Sequence, residues 1–117
     1  MLELEHNLIG LGAYSIPEAA RLTRSNPSTL YSWFKRGTRR ESSRIFESDY
    51  SGSEFEWAIS FFDLVDVKIA VELRRKDVSM QKVRKVYEKL AASWDVSHPF
   101  CYKRFYAGTG DVYAEIE

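Results

Sequence analysis

"YSIPEAARLTRSNPSTLYSWFKRG", residues 14–37, is the stretch whose reading decides the fold. Ser15 is placed to N-cap a first helix. Pro17 falls in its opening turn, and Glu18, three residues after the cap, completes a capping box. Ala19, Ala20 and Leu22 give that helix a small apolar face, which lets a second helix cross closely. Asn26 followed by Pro27 is a strong start signal for the second helix. Leu30, Trp33 and Phe34 recur at i, i+3 and i+4, so they form its buried stripe, and Gly37 is expected to end it. Only the short turn "TRSN" separates the two, which is helix-turn-helix spacing.

Charge sharpens the question of what such a pair would touch. The chain of 117 residues has a formal net charge of zero. Between residues 19 and 46, however, Arg21, Arg24, Lys35, Arg36, Arg39, Arg40 and Arg44 face one acid, Glu41. That imbalance reads either as an electrostatic footprint for nucleic acid or as a solvated basic surface. The length suits one domain, and the apolar content supports a core rather than disorder. No apolar run approaches the ~20 residues needed to span a bilayer. The first residues, "MLELEHNLIG", carry acids where a signal peptide carries bases, and Cys101 is the only cysteine. Both features lead to an expectation of the cytoplasm and no membrane.

Further along, "RIFESDYSGSEFEWAIS" alternates on both sides of Ser51-Gly52-Ser53. Phe46, Ser48 and Tyr50 fall on one face, with Ile45, Glu47 and Asp49 on the other, so a β-hairpin is expected. Ser60 and Asp63 form a second capping box, opening a helix to roughly Lys76 with Phe61, Leu64, Val65, Ile69 and Leu73 inward. Asp77 takes a left-handed turn position. Ser79 caps a fourth helix, stapled by Val78 and Val83, with Val83, Val86, Tyr87, Leu90 and Trp94 on its buried face. After Pro99 the period becomes two, and "CYKRFYAGTGDVYAEIE" reads as a second hairpin turning at Gly108-Thr109-Gly110-Asp111.

The first four elements resemble the DNA-binding domain of MerR-type winged helix-turn-helix regulators. The shared features are "YSIPEAARLT", the helix start "NPSTLYSW", the hairpin wing and "SFFDLVDVKIAVELRRKDVSMQKV". A closer resemblance is to the MerR-like N-terminal domain of VapB-type antitoxins. It rests on "LGAYSIPEAARLT", "ISFFDLV", the turn "ELRRKDVS", and "HPF" followed by a Gly-Asp hairpin. It spans nearly the whole chain. The sequence departs from MerR regulators in placing Ser28 and Tyr31 where they usually carry basic residues, and it has no long dimerising helix or effector domain.

The expected fold is therefore mainly α with β-hairpins. Residues 1–97 would form a MerR-like winged helix-turn-helix domain, and residues 98–117 a C-terminal hairpin on the same globule. The resemblance implies a sequence-specific DNA-binding domain of a type II antitoxin that represses its own operon. A MerR-like regulator of another pathway, or a helix-turn-helix module that binds protein, are the alternatives. Double-stranded DNA is the expected partner, read by a homodimer, with a toxin protein as a second partner. The aromatic C-terminal hairpin, with Tyr102, Phe105, Tyr106, Val112, Tyr113 and Ile116, is the candidate dimer or toxin interface.

In the major groove, the second helix would present Ser28, Thr29, Tyr31 and Ser32 to base edges. Lys35, Arg36, Arg39, Arg40 and Arg44 would reach phosphates. The N–H groups around Ser15, at a helix N-terminus, could hold another phosphate. These side chains could equally just cover a helix surface. Trp33 could stack on bases, but its spacing with Leu30 favours the core. Arg74, Arg75 and Lys76 are either a second phosphate patch or charges that favour a helix C-terminus. Asp63 and Asp66 are read as helix-dipole complements. His98 and Cys101 have metal-like spacing, but two ligands do not make a site. No cofactor or enzyme activity is expected.

Overall fold

The computed structural model describes residues 12–34, 44–55 and 57–102, and the backbone of 105–108 and 111–114. Chain order is β1 (Tyr14–Ser15), α1 (Ile16–Thr23), α2 (Pro27–Trp33), β2 (Ala58–Ile59), α3 (Phe61–Arg75) and α4 (Met80–Trp94). A 3-10 turn (Pro99–Cys101) and the strands β3 (Phe105–Gly108) and β4 (Asp111–Ala114) follow. The described residues are thus mainly helical, with small antiparallel sheets.

Both early helices start where the cap residues put them. Ser15 Oγ accepts the Glu18 N–H at 3.2 Å, and Glu18 Oε1 accepts the Ser15 N–H at 3.0 Å. Arg24 stops α1 in the left-handed region at φ 56°. Asn26 then caps α2 by accepting the Ser28 N–H at 2.8 Å. Ile16, Ala19, Ala20 and Thr23 form the buried face of α1. Leu22, expected on that face, is 55% exposed. It lies two positions from Ala20, nearly opposite on a helix.

Leu30, Trp33 and Phe34 are buried as expected. The helix nevertheless ends at Trp33, with Phe34 already extended, rather than at Gly37. The chain returns to the same spot. The N–H groups of Ile45 and Phe46 both donate to the Trp33 carbonyl, at 2.8 and 2.9 Å, and Phe46 bridges Phe34. That leaves the end of α2 satisfied by residues twelve or more positions away instead of by another helical turn.

The hairpin expected over residues 45–59 does not form. Ile45 and Phe46 are consecutive, yet both are buried. Residues 48–55 instead make successive turns, with Ser51 N–H on the Ser48 carbonyl and Ser53 N–H on the Tyr50 carbonyl. Side-chain hydroxyls cause this. Ser48 Oγ accepts the Tyr50 N–H at 3.1 Å, and Ser53 Oγ accepts the Phe55 N–H at 3.0 Å, so local bonds replace the strand ladder. Gly52, at φ 82°, makes the reversal. Among the segment's described residues the one strand is β2, which pairs antiparallel with β1 through Tyr14–Ile59 and Ser15–Ala58.

The capping box of α3 is present, with Ser60 Oγ on the Asp63 N–H at 3.1 Å and Asp63 Oδ2 on the Ser60 N–H at 2.9 Å. Its buried face is rotated from expectation. Asp63, Asp66, Val67, Ala70, Val71 and Leu73 are buried, whereas Phe61 is 50% exposed and Leu64, Val65 and Ile69 are half-buried. Two buried aspartates displaced the apolar count. Asp77 at φ 67° turns the chain into α4, and Val78 and Val83 are fully buried as the staple requires. Val86, Tyr87, Leu90 and Trp94 are only half-buried, so α4 lies at the edge of the core. β3 and β4 pair from Phe105–Ala114 to Gly108–Asp111, the expected hairpin, but the stretch from Pro99 to Cys101 is a 3-10 turn that buries Phe100.

Candidate functional site

Two regions carry polar chemistry. The first is the outer face of α2. Its inner face is locked by Leu30 and Trp33, so Ser28, Thr29, Tyr31 and Ser32 point to solvent, Tyr31 with 46% exposure. Ser32 Oγ donates to the Thr29 carbonyl at 2.6 Å. Trp33 is core, 5% exposed and edge-on to Phe46, so it offers no stacking platform. Lys35, Arg36, Arg39 and Arg40 lie outside the described residues. Arg44 is half-buried at the point where the chain returns to Trp33.

At Ser15 the helix start is already engaged by its own capping box. The Ser15 N–H and hydroxyl are both spent on Glu18, and the carboxylate at that helix start would repel an anion. The Ser15 N–H, and then the Ser15 hydroxyl, hold the Glu18 carboxyl below its ordinary pKa. Arg74 and Arg75, both exposed, are engaged by groups of the chain itself. Arg75 Nη2 donates to the carbonyls of Thr23, at 3.2 Å, and Arg24, while Nη1 meets Glu72 at 3.1 Å. Arg74 donates to the Val78 carbonyl at 3.0 Å. They close helix ends, and Arg75 fixes the turn from which α2 departs.

The second region is a buried acidic cluster. His98, just before the 3-10 turn, has Nδ1 2.7 Å from Asp66 Oδ2 and Nε2 2.9 Å from both oxygens of Asp49. Asp63 Oδ2 accepts the N–H groups of Asp49 and Ser60, each at 2.9 Å. Asp63 Oδ1 faces His98 Nδ1 at 3.9 Å, beyond hydrogen-bond reach. Ser60 Oγ donates to Asp49 Oδ2 at 2.5 Å, and Tyr87 donates to the Ser97 carbonyl at 2.9 Å. Asp63 and Asp66 are each 1% exposed.

Burial pushes Asp66 up to about 6, against the pull of His98. Burial alone would lower His98, but its bond to Asp66 and the charges of Asp66 and Asp49 outweigh that and raise it to about 9. Burial, then Asp66, pushes the Cys101 thiol up to about 12, so it is no thiolate nucleophile. Asp49 and His98 also line an open cleft of about 480 Å³, together with Glu47, Ser97 and Tyr87.

Sequence spacing could not reveal this cluster. Asp49, the Asp63–Asp66 pair and His98 are far apart in the chain, and the helix carboxylates look like ordinary dipole complements. The one available signal was that Asp63 and Asp66 share a helical face with Val67 and Ala70. No protein-family model, curated protein or solved structure matches the chain.

Proposed function

We propose that the chain is a MerR-like winged helix-turn-helix domain that binds double-stranded DNA, with α2 as the reading helix. The observation that carries this is the outer face of α2. It is a short helix, capped by Asn26 and anchored from within by Leu30 and Trp33, with four hydrogen-bonding side chains outward and a basic run directly after it. Hydroxyls and Tyr31 would read base edges, while the bases hold phosphates. Lys35, Arg36, Arg39 and Arg40, which follow α2 in the sequence, are the proposed phosphate contacts. The resemblance to VapB-type antitoxins adds a setting: autorepression as a homodimer, with a toxin as further partner.

The test is a fluorescence titration of labelled duplexes across a salt series. Arg39→Ala with Arg40→Ala should weaken binding to every duplex and lower the salt slope by about one unit per lost phosphate contact. If the wild-type chain shows no salt-dependent affinity for any duplex, the protein-interaction alternative takes over.

A further inference from the structure

We propose that Asp49, Asp63 and His98 form a binding site for one divalent transition-metal ion of the zinc type, with Asp66 as the carboxylate that orients the histidine. One ligand-type atom from each of the three lies within 4.8 Å of the others. The arrangement around His98 is that of a metal-bound imidazole. A ligating histidine characteristically donates its second ring N–H to a carboxylate, which fixes the tautomer and aims the other nitrogen. Here Nδ1 is held by Asp66 at 2.7 Å, and Nε2 is directed at Asp49.

A separate observation concerns Asp63. Its Oδ2 accepts two backbone N–H groups, but Oδ1, on a side chain 1% exposed, faces the cluster without a hydrogen bond. Oδ1 lies 3.9 Å from His98 Nδ1, at ion-pair rather than hydrogen-bond distance, and has room to accept a further positive charge. Three carboxylates face one imidazole here. Among the described residues no lysine or arginine stands within ion-pair distance of any of them. A divalent cation meets that excess.

The mixed set of imidazole and carboxylates selects the ion. It suits zinc, cobalt, nickel or manganese better than calcium or magnesium, which favour all-oxygen shells. Ligand distances would be about 2.0–2.2 Å. Asp49 is the adjustable ligand: it sits on a turn, its side chain is 29% exposed, and it opens onto the cleft through which an ion would arrive. The ion would replace the proton between His98 Nε2 and Asp49, and that proton would leave to solvent. Once bound, it would join the turn at Asp49, the start of α3 and the segment entering the 3-10 turn.

The full chain, untagged and stripped with a chelator, is titrated with Zn²⁺ in a calorimeter, and its metal content is measured after dialysis. One ion per chain is expected, with a raised thermal midpoint and a large change in the nitrogen chemical shift of His98 Nε2. Asp66→Asn should weaken binding 10- to 100-fold. Asp49→Asn, on an exposed turn, should keep the fold and lose at least as much. Two results overturn the proposal: no stoichiometric uptake by the wild-type chain, or uptake by Asp49→Asn equal to wild type. If Asp66→Asn does not fold, the Asp49 variant still decides.

Discussion

The outer face of α2 and the cluster around His98 solve opposite problems with polar side chains. On α2 the hydroxyls and Tyr31 stand in water above a helix held from behind by Leu30 and Trp33. Each is almost dispensable to the fold. Around His98 the polar groups replace apolar packing at the junction of α3, α4 and the C-terminal segment, and every one leans on another. Polar residues thus serve the proposed contact where they are exposed, and serve the fold where they bond one another across elements. A surface group is worth little to stability, while removing one partner of a buried pair strands the other.

The largest expected effect comes from stranding. His98→Ala in metal-free protein should cost about 3–5 kcal/mol, because Asp66 would be left buried without its partner. Urea denaturation measures it, and a loss below about 1 kcal/mol would mean that the cluster is an ornament of the fold. Leu30→Ala comes next at about 2–5 kcal/mol, as it opens a cavity beneath α2. It should also abolish any duplex preference, since the reading helix loses its seat.

A pH titration of stability in chelated protein sharpens the comparison further. His98 rises on folding from 6.5 to about 9. Its stabilising contribution is therefore complete below about pH 6.5 and is lost as pH rises through about 9. Asp66 is also raised, so the folded chain holds that proton more tightly than the unfolded one, and acidification from pH 6 toward 4 does not unfold the chain through this group. Thermal midpoints that climb between pH 7 and 10 would contradict the bridging role of His98.

The smallest effect on stability is expected for Tyr31→Ala, within about 0.5 kcal/mol, since Tyr31 is exposed and lies off the buried Leu30–Trp33 face. Its effect on DNA should be selective, lowering preference for an operator over random duplex. An equal loss on both would place Tyr31 at a phosphate.

Local signals were legible in the sequence because caps act over three or four residues. Ser15, Asn26, Ser60 and Ser79 each start a helix where their side chains imply, and the Val78–Val83 staple follows the same short-range logic. The C-terminal hairpin was legible from its Gly-containing turn. What failed needed knowledge of tertiary partners. The alternation of residues 45–50 pointed to a hairpin, but Trp33 captured Ile45 and Phe46, and serine hydroxyls captured the rest. The face of α3 was misread because aspartates were counted as solvent-facing, whereas the cluster buries Asp63 and Asp66. Of the expected DNA contacts, Ser28, Thr29, Tyr31 and Ser32 share one exposed face, while Ser15 is consumed by its own cap.

The Trp33 carbonyl, which receives both Ile45 and Phe46, has an evolutionary consequence. The ends, Phe34 and Phe46, meet at one point, so the length of chain joining them is not dictated by any span it must cross. Doubling such a segment costs only about 0.6 kcal/mol in closure entropy. Insertions, deletions and wholesale changes of charge between Phe34 and Ile45 can therefore accumulate without moving a helix. The body would act as a fixed mount, and lineages could retune what it grips by rewriting a single interchangeable cartridge.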